Sequence, residues 1–265
     1  MLHSLTTNDG IEIAYGDFGP SDGPPVVLCH GLAASGRQFE ADAAFFAGLG
    51  YRVLVPDVRG HGRSGAPIGL LAADFSIERL AADMIAMLDD AGVAVVDWVG
   101  NSLGGIIALC MAGEVPHRLR TLATFGTAYS LSLPALVPPL FPLIYRLFGR
   151  GIVSGLTARV TTDNLSARVL VAEMLAAFDA HAGQAVAENV RRYNLIEAAL
   201  AFTGPILMIR GGRDRAVNLA LKPTLAAMSG RPNFSRVDLK AAAHCANLDV
   251  PEEVRGVLLD FWARG

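Results

Sequence analysis

The stretch VVDWVGNSLGGIIALCMAGEVPHRL, residues 95–119, decides how the rest of the chain is read. Within it Gly100-Asn101-Ser102-Leu103-Gly104 matches G-x-S-x-G. A chain with 28 Gly in 265 residues meets that pattern somewhere by chance with odds of roughly one in eight. Gly19-Pro20-Ser21-Asp22-Gly23 does meet it. However, no strand pattern precedes Ser21 and Pro24-Pro25 follow it, so that serine belongs to a turn. Ser102 has other neighbours. VAVVDWVG (93–100) leads in as a β-branched apolar run, and LGGIIALCMAG (103–113) leads out as an apolar helix. Strand, sharp turn and helix make the setting in which a serine hydroxyl is held exposed on a strained backbone. Gly100 and Gly104 relieve crowding on either side, and Gly105 lets the helix approach the sheet. The helix N-terminus favours negative charge beside Ser102.

The same rhythm extends in both directions. Residues 24–30, 51–57, 93–100, 118–126, 204–212 and 234–240 read as strands, and most are nearly continuous apolar runs, as parallel strands covered on both faces are. Helical patterns fall between them at 36–48, 76–91, 103–113 and 219–229, with a last one at 251–263. The alternation predicts an α/β fold with a mostly parallel, doubly wound sheet. EIAYGDFG (12–19) and the residues before it add an antiparallel hairpin at one edge. The rhythm breaks from Ala128 to Leu200, where no strand is evident and 167–181 and 184–200 look helical. An insertion this long is too large for a loop. The expected organisation is therefore a core of residues 1–127 and 201–265 with a helical cap over 128–200.

Composition narrows the function classes. A net charge of −3 gives no electrostatic case for nucleic acid. The start, MLHSLTTNDGIEIAYGDFG, has no basic leader or apolar run, so a secretory signal is not expected, and Cys29, Cys110 and Cys245 are odd in number and far apart. Reduced thiols and a cytoplasmic location follow as expectations. LSLPALVPPLFPLIYRLFG (131–149) is apolar with Arg146 its only charge. Its four prolines disfavour a membrane span, so it is expected to be buried or to face substrate.

A serine nucleophile needs a base and a group to orient that base. Of the six histidines, His3 lies at the start of the chain, His117 follows a helix-ending proline and His181 falls in the insertion. His30 follows a strand and is placed to brace its loop. His61 sits in the turn-rich DVRGHGRSG and stays as an alternative base. His244, in LKAAAHCANLD, follows the last strand and is the leading candidate. Asp214, in LMIRGGRDRAV, follows the penultimate strand, on the sheet edge where open α/β sheets place their sites. A helix-capping role is its competing explanation. Asp249 is assigned to the start of the last helix.

The order Ser102, Asp214, His244, with the segments CHGLAASGRQFE, VLVPDVRGHGRSGAP, VGNSLGGIIAL, GGRDRAV and AAHCANLDVPEEV, resembles the α/β-hydrolase superfamily. The similarity is strongest to its carboxylesterase, enol-lactonase and carbon–carbon-bond hydrolase branches, and it covers residues 10–127 and 201–265. It implies the α/β-hydrolase fold with an inserted helical cap. It also implies an oxyanion hole built from the backbone N–H groups of Leu32 and Leu103. Serine at 102 speaks against the dehalogenase and epoxide-hydrolase branches. The implied activity is hydrolysis of a small or medium carboxylic ester or lactone, with no metal or cofactor. Carbon–carbon-bond hydrolysis of a vinylogous diketone, a ligand receptor and a cofactor-free oxygenase stay as alternatives. His30, Asn101, Phe141, Tyr145 and Arg191 are the expected pocket residues, with Leu136, Leu140, Ile144 and Phe148 as further apolar lining. The partner is a small molecule, and oligomeric state is left open.

Overall fold

The computed structural model describes residues 1–264. The chain begins with strands β1 (Leu2–Thr6), β2 (Glu12–Phe18) and β3 (Pro25–Cys29), then alternates α1 (Glu40–Gly48), β4 (Arg52–Pro56), α2 (Ile77–Asp90), β5 (Val96–Asn101), α3 (Leu103–Glu114) and β6 (Leu119–Phe125). The stretch that follows holds β7 (Ser130–Ser132), helices α4 (Leu140–Phe148), α5 (Arg150–Thr161), α6 (Leu165–Ala177) and α7 (Ala180–Val190), then β8 (Arg192–Asn194) and α8 (Ile196–Ala201). The chain returns through β9 (Ile206–Gly211), α9 (Arg215–Met228), β10 (Phe234–Leu239), α10 (Ala246–Asp249) and α11 (Pro251–Trp262).

Eight strands form one sheet in the order β1-β2-β4-β3-β5-β6-β9-β10. β1 and β2 pair antiparallel, as does β2 with β4; every other pairing in this sheet is parallel. The continuous apolar runs have a simple cause. Successive side chains leave opposite faces of a strand, and here both faces are covered. Val27, Cys29, Trp98, Leu122 and Met208 join the core packed under α2, α3 and α9. Val26, Leu28, Val99, Ala123 and Leu207 join a second core that includes Phe46 of α1 and Leu258 of α11.

The prediction of no strand between 128 and 200 needs correcting. β7 and β8 pair antiparallel, Ser130 opposite Asn194 and Ser132 opposite Arg192, so the two ends of the inserted stretch meet in a short ladder. Three-residue strands are too brief to leave a period in the sequence, and their partners lie about sixty residues apart. LSLPALVPPLFPLIYRLFG differs from expectation too: no residue of α4 is buried. Among the described residues no single helix is long and apolar enough to cross a membrane.

Candidate active site

Ser102 stands between β5 and α3 with φ 49° and ψ −108°, a left-handed conformation costly for a residue with a Cβ. The turn is held from both sides. Ser102 N–H donates to the Phe125 carbonyl at 2.9 Å, and Gly104 N–H to the His30 carbonyl at 3.1 Å. The flanking glycines are required by close approach. A Cβ on Gly104 would stand 2.2 Å from the Cys29 carbonyl oxygen, and one on Gly100 would stand 2.4 Å from the Gly104–Gly105 backbone.

Asp214 and His244 come from separate loops at the same edge of the sheet. Asp214 Oδ2 accepts from His244 Nδ1 at 2.8 Å, while Oδ1 accepts the Val217 N–H at 3.2 Å. The capping role and the histidine partnership are thus both filled, one by each oxygen. A donor Nδ1 leaves Nε2 of neutral His244 as an acceptor. Among the described residues no hydrogen bond joins Ser102 to His244. Catalytic contacts of this kind are often long in unliganded enzymes and tighten on substrate.

The N–H groups of Leu32 and Leu103 have no protein acceptor among the described residues. Leu32 follows a peptide pinned from its other side. His30 Nδ1 donates to the Gly31 carbonyl at 2.8 Å, and His30 Nε2 accepts the Val58 N–H at 3.0 Å. Because the carbonyl and N–H of a trans peptide point in opposite directions, holding the Gly31 oxygen fixes where the Leu32 N–H points. His30 is wholly buried, which lowers its pKa to about 4 against the opposing pull of the Gly31 bond. His61 is buried too. Its Nδ1 donates to the Arg59 carbonyl at 2.9 Å, its ring stacks on Phe178 at 4.5 Å, and its Nε2 has no partner. Burial, and then the neighbouring His30, lowers its pKa to about 3.

Two expected pocket residues are instead internal supports. His30 braces the loop as described, and Asn101 is 1% exposed. The Asn101 amide donates to the Phe125 and His244 carbonyls at 3.2 and 3.0 Å and accepts from Gln38 Nε2 at 3.0 Å. Gln38 also bonds Asn247, and Asn247 donates to Asp42, which in turn pairs with Arg255. This buried chain of amides was not legible beforehand, since nothing in the spacing of Gln38, Asn101 and Asn247 marks them as neighbours. Phe141 lies against Gly183 of α7, and Tyr145 Oη donates to the Leu175 carbonyl at 3.4 Å; both contacts stay inside the inserted stretch. Arg191 caps the C-terminus of α7, and its carbonyl accepts the Leu133 N–H at 2.7 Å.

Asp249 also departs from expectation. It ends α10, and its carboxylate accepts from the Ala243 N–H at 2.7 Å, from the Asp163 and Asn164 N–H groups at 3.1 and 3.3 Å, and from the Thr162 hydroxyl. It therefore ties the His244 loop to the α5–α6 turn. A cavity of about 340 Å³ opens between α6 and the loops after β3 and β4, with Ser35, Asp57, Met174 and Phe178 on its wall.

Residues 24–150 match the family described as alpha/beta hydrolase fold. The non-heme chloroperoxidase of Streptomyces lividans is 36% identical over 138 residues, 52% of this chain and 46% of that protein. The chain spans under half the length of several curated relatives it matches above 30% identity. A longer match, 27% identical over 92% of this chain and 90% of the other, is to the 3-hydroxybutyrate-oligomer hydrolase of Cupriavidus necator. Among solved structures, the enol-lactonase from Burkholderia xenovorans LB400 superposes with a TM-score of 0.85 at 22% identity, covering 98% of this chain and 100% of that one.

Proposed function

The chain belongs to the α/β-hydrolase superfamily, and on that premise we propose that it is a serine hydrolase acting on a small or medium carboxylic ester or lactone. The observation that carries this reading is the 2.8 Å bond between Asp214 and His244 at the sheet edge that also presents Ser102 on its strained turn. In the proposed cycle Ser102 Oγ attacks the carbonyl carbon while His244 Nε2 takes the hydroxyl proton. Asp214 holds the ring in the tautomer that can accept it. The carbonyl oxygen gains its charge against the N–H groups of Leu32 and Leu103. Loss of one such donor typically costs about 3–4 kcal/mol of transition-state stabilisation. His244 then gives its proton to the departing alkoxide, and an acyl group stays on Ser102. Water, deprotonated by His244, attacks the acyl carbon; Ser102 Oγ leaves with the proton returned by His244, and the acid is released. A lactone follows the same steps, with both products leaving as one hydroxy acid.

Residues 128–200 act in this reading as the cap that selects substrate, over a catalytic core of 1–127 and 201–265. The esterase name of one curated relative and the enol-lactonase and esterase names of structural neighbours support the substrate class. The test is intact-protein mass after reaction with a fluorophosphonate, for the wild type, Ser102→Ala and His244→Ala. One label per chain on the wild type alone is the expected result and justifies screening esters, lactones and vinylogous diketones. An unlabelled, folded wild type overturns the reading in favour of a receptor or a non-hydrolytic relative.

A further inference from the structure

The stretch whose expected burial fails shows a surface that the hydrolytic reading does not use. On α4, Leu140, Leu143, Ile144 and Leu147 recur at helical spacing and are all exposed, Leu147 by 65%. On the adjoining α5, Ile152, Leu156 and Val160 form a second stripe four residues apart, exposed by 60%, 57% and 79%. Neither stripe faces the protein. α4 turns its other side to α7 through Phe141, and α5 buries Ser154 and Ala158. Two neighbouring helices thus present apolar rows outward, which a soluble monomer rarely tolerates unless something covers them.

Charge identifies the cover. From Ala128 to Thr162 the sequence has no Asp or Glu but carries Arg146, Arg150 and Arg159, inside a chain of net charge −3. Arg150 is engaged by the Ala176 and Phe178 carbonyls. Arg146 and Arg159 are exposed and have no hydrogen-bond or ion-pair partner among the described residues. Asp163 and Glu173, on the segments that follow, are paired elsewhere, with Arg213 and Arg37. A second copy of the chain, docking symmetrically, would bring these arginines together with no anion to separate them, because an isologous contact sets the same patch against itself. A lipid surface bearing negative headgroups meets both needs. It takes apolar side chains into the headgroup–acyl boundary and offers phosphates to the flanking cations.

We propose that the outer face of α4 and α5 docks on an anionic phospholipid bilayer, with both helices lying in the plane of the interface. Binding there needs no turnover, so it stands or falls separately from the chemistry of Ser102.

The experiment is co-sedimentation of the full chain with vesicles of phosphatidylcholine alone and of phosphatidylcholine mixed with phosphatidylglycerol, at low and high salt. The variants are Leu143→Ser with Leu147→Ser, and Arg146→Ala with Arg159→Ala. All four side chains are exposed, and unchanged thermal melting checks that the variants fold. Binding is expected only to the mixed vesicles, weakened by salt and by the serine pair, and about 30-fold weaker for the alanine pair. Absence of binding to both vesicles overturns the proposal, as does equal binding to both. A wild-type dimer in sedimentation equilibrium that the serine pair dissociates overturns it in favour of a second copy.

Discussion

The backbone N–H of His244 donates to the carbonyl of Thr161 at 3.1 Å, so the proposed base is fastened through its own main chain to the end of α5. Asp249 doubles that tie by holding the Ala243 N–H with one oxygen and the start of the Thr162–Asn164 turn with the other. The inserted helices cannot shift here without pulling on the residue that would move protons.

Asp249→Asn turns one acceptor oxygen into an NH2 facing backbone N–H groups. Stability is expected to fall by about 1–3 kcal/mol, the usual cost of leaving buried donors unsatisfied. Fluorophosphonate labelling should slow more than the lost stability accounts for. Denaturant midpoint and labelling rate, measured on the same preparation, check this; a wild-type labelling rate would uncouple the turn from His244.

Asn101→Asp is expected to be worse than Asn101→Ala. The amide nitrogen donates to two carbonyls, and a carboxylate oxygen in its place would face both of them with no proton to share. Thermal melting at neutral pH should rank wild type above Ala and Ala above Asp, with the Asp variant regaining ground as the pH is lowered and the carboxyl protonates.

Arg59 and Asp83 are both wholly buried and meet through two hydrogen bonds, of 2.7 and 2.8 Å. Asp83→Ala leaves the guanidinium with only Asp9 as its ion partner and should cost about 3–5 kcal/mol. Arg59→Met with Asp83→Leu should cost markedly less than the two single changes summed. Urea unfolding of the three variants decides it, and simple additivity would mean that the pair is not coupled.

His30 and His61 are held neutral in the fold, at about 4 and about 3, against an ordinary 6.5. As pH falls below 6.5 the unfolded chain takes up their protons first. Their stabilising contribution is therefore complete above that pH and is lost progressively on the way down to the folded values. Each adds a slope of up to about 1.4 kcal/mol per pH unit in that window. His61→Asn, whose amide can still donate to the Arg59 carbonyl, should flatten the dependence of unfolding free energy between about pH 6 and about pH 5. An unchanged slope would mean that His61 is already charged in the fold.

Sheet and elbow were readable because each rests on local chemistry. Apolar runs such as 24–30 mark strands covered on both faces, and the glycines around Ser102 mark a turn in which a Cβ has no room. Asp214 and His244 could be singled out from their places after successive strands, and their side chains meet at 2.8 Å. The supports could not. Gln38 meets Asn247 across 209 residues, and Asp249 meets Thr162 across 87. Such pairings depend on how loops fold back, which no period or motif encodes. The apolar segment at 131–149 misled for a related reason. Hydropathy says that a residue tends to leave water, but not whether protein is what it finds.

The short ladder of β7 and β8 bears on how this molecule can vary. Because Ser130 and Asn194 are neighbours, the chain leaves the sheet side and comes back to it at a single point. Closing a flexible loop costs only about 0.6 kcal/mol more each time its length doubles. Material between the two strands can be lengthened, trimmed or exchanged while β6 and β9 stay paired. On the proposed reading of this stretch as a substrate-selecting cap, recombination at that stem opens new substrate ranges to trial, provided the Thr161–Asn164 segment that holds the His244 loop is kept.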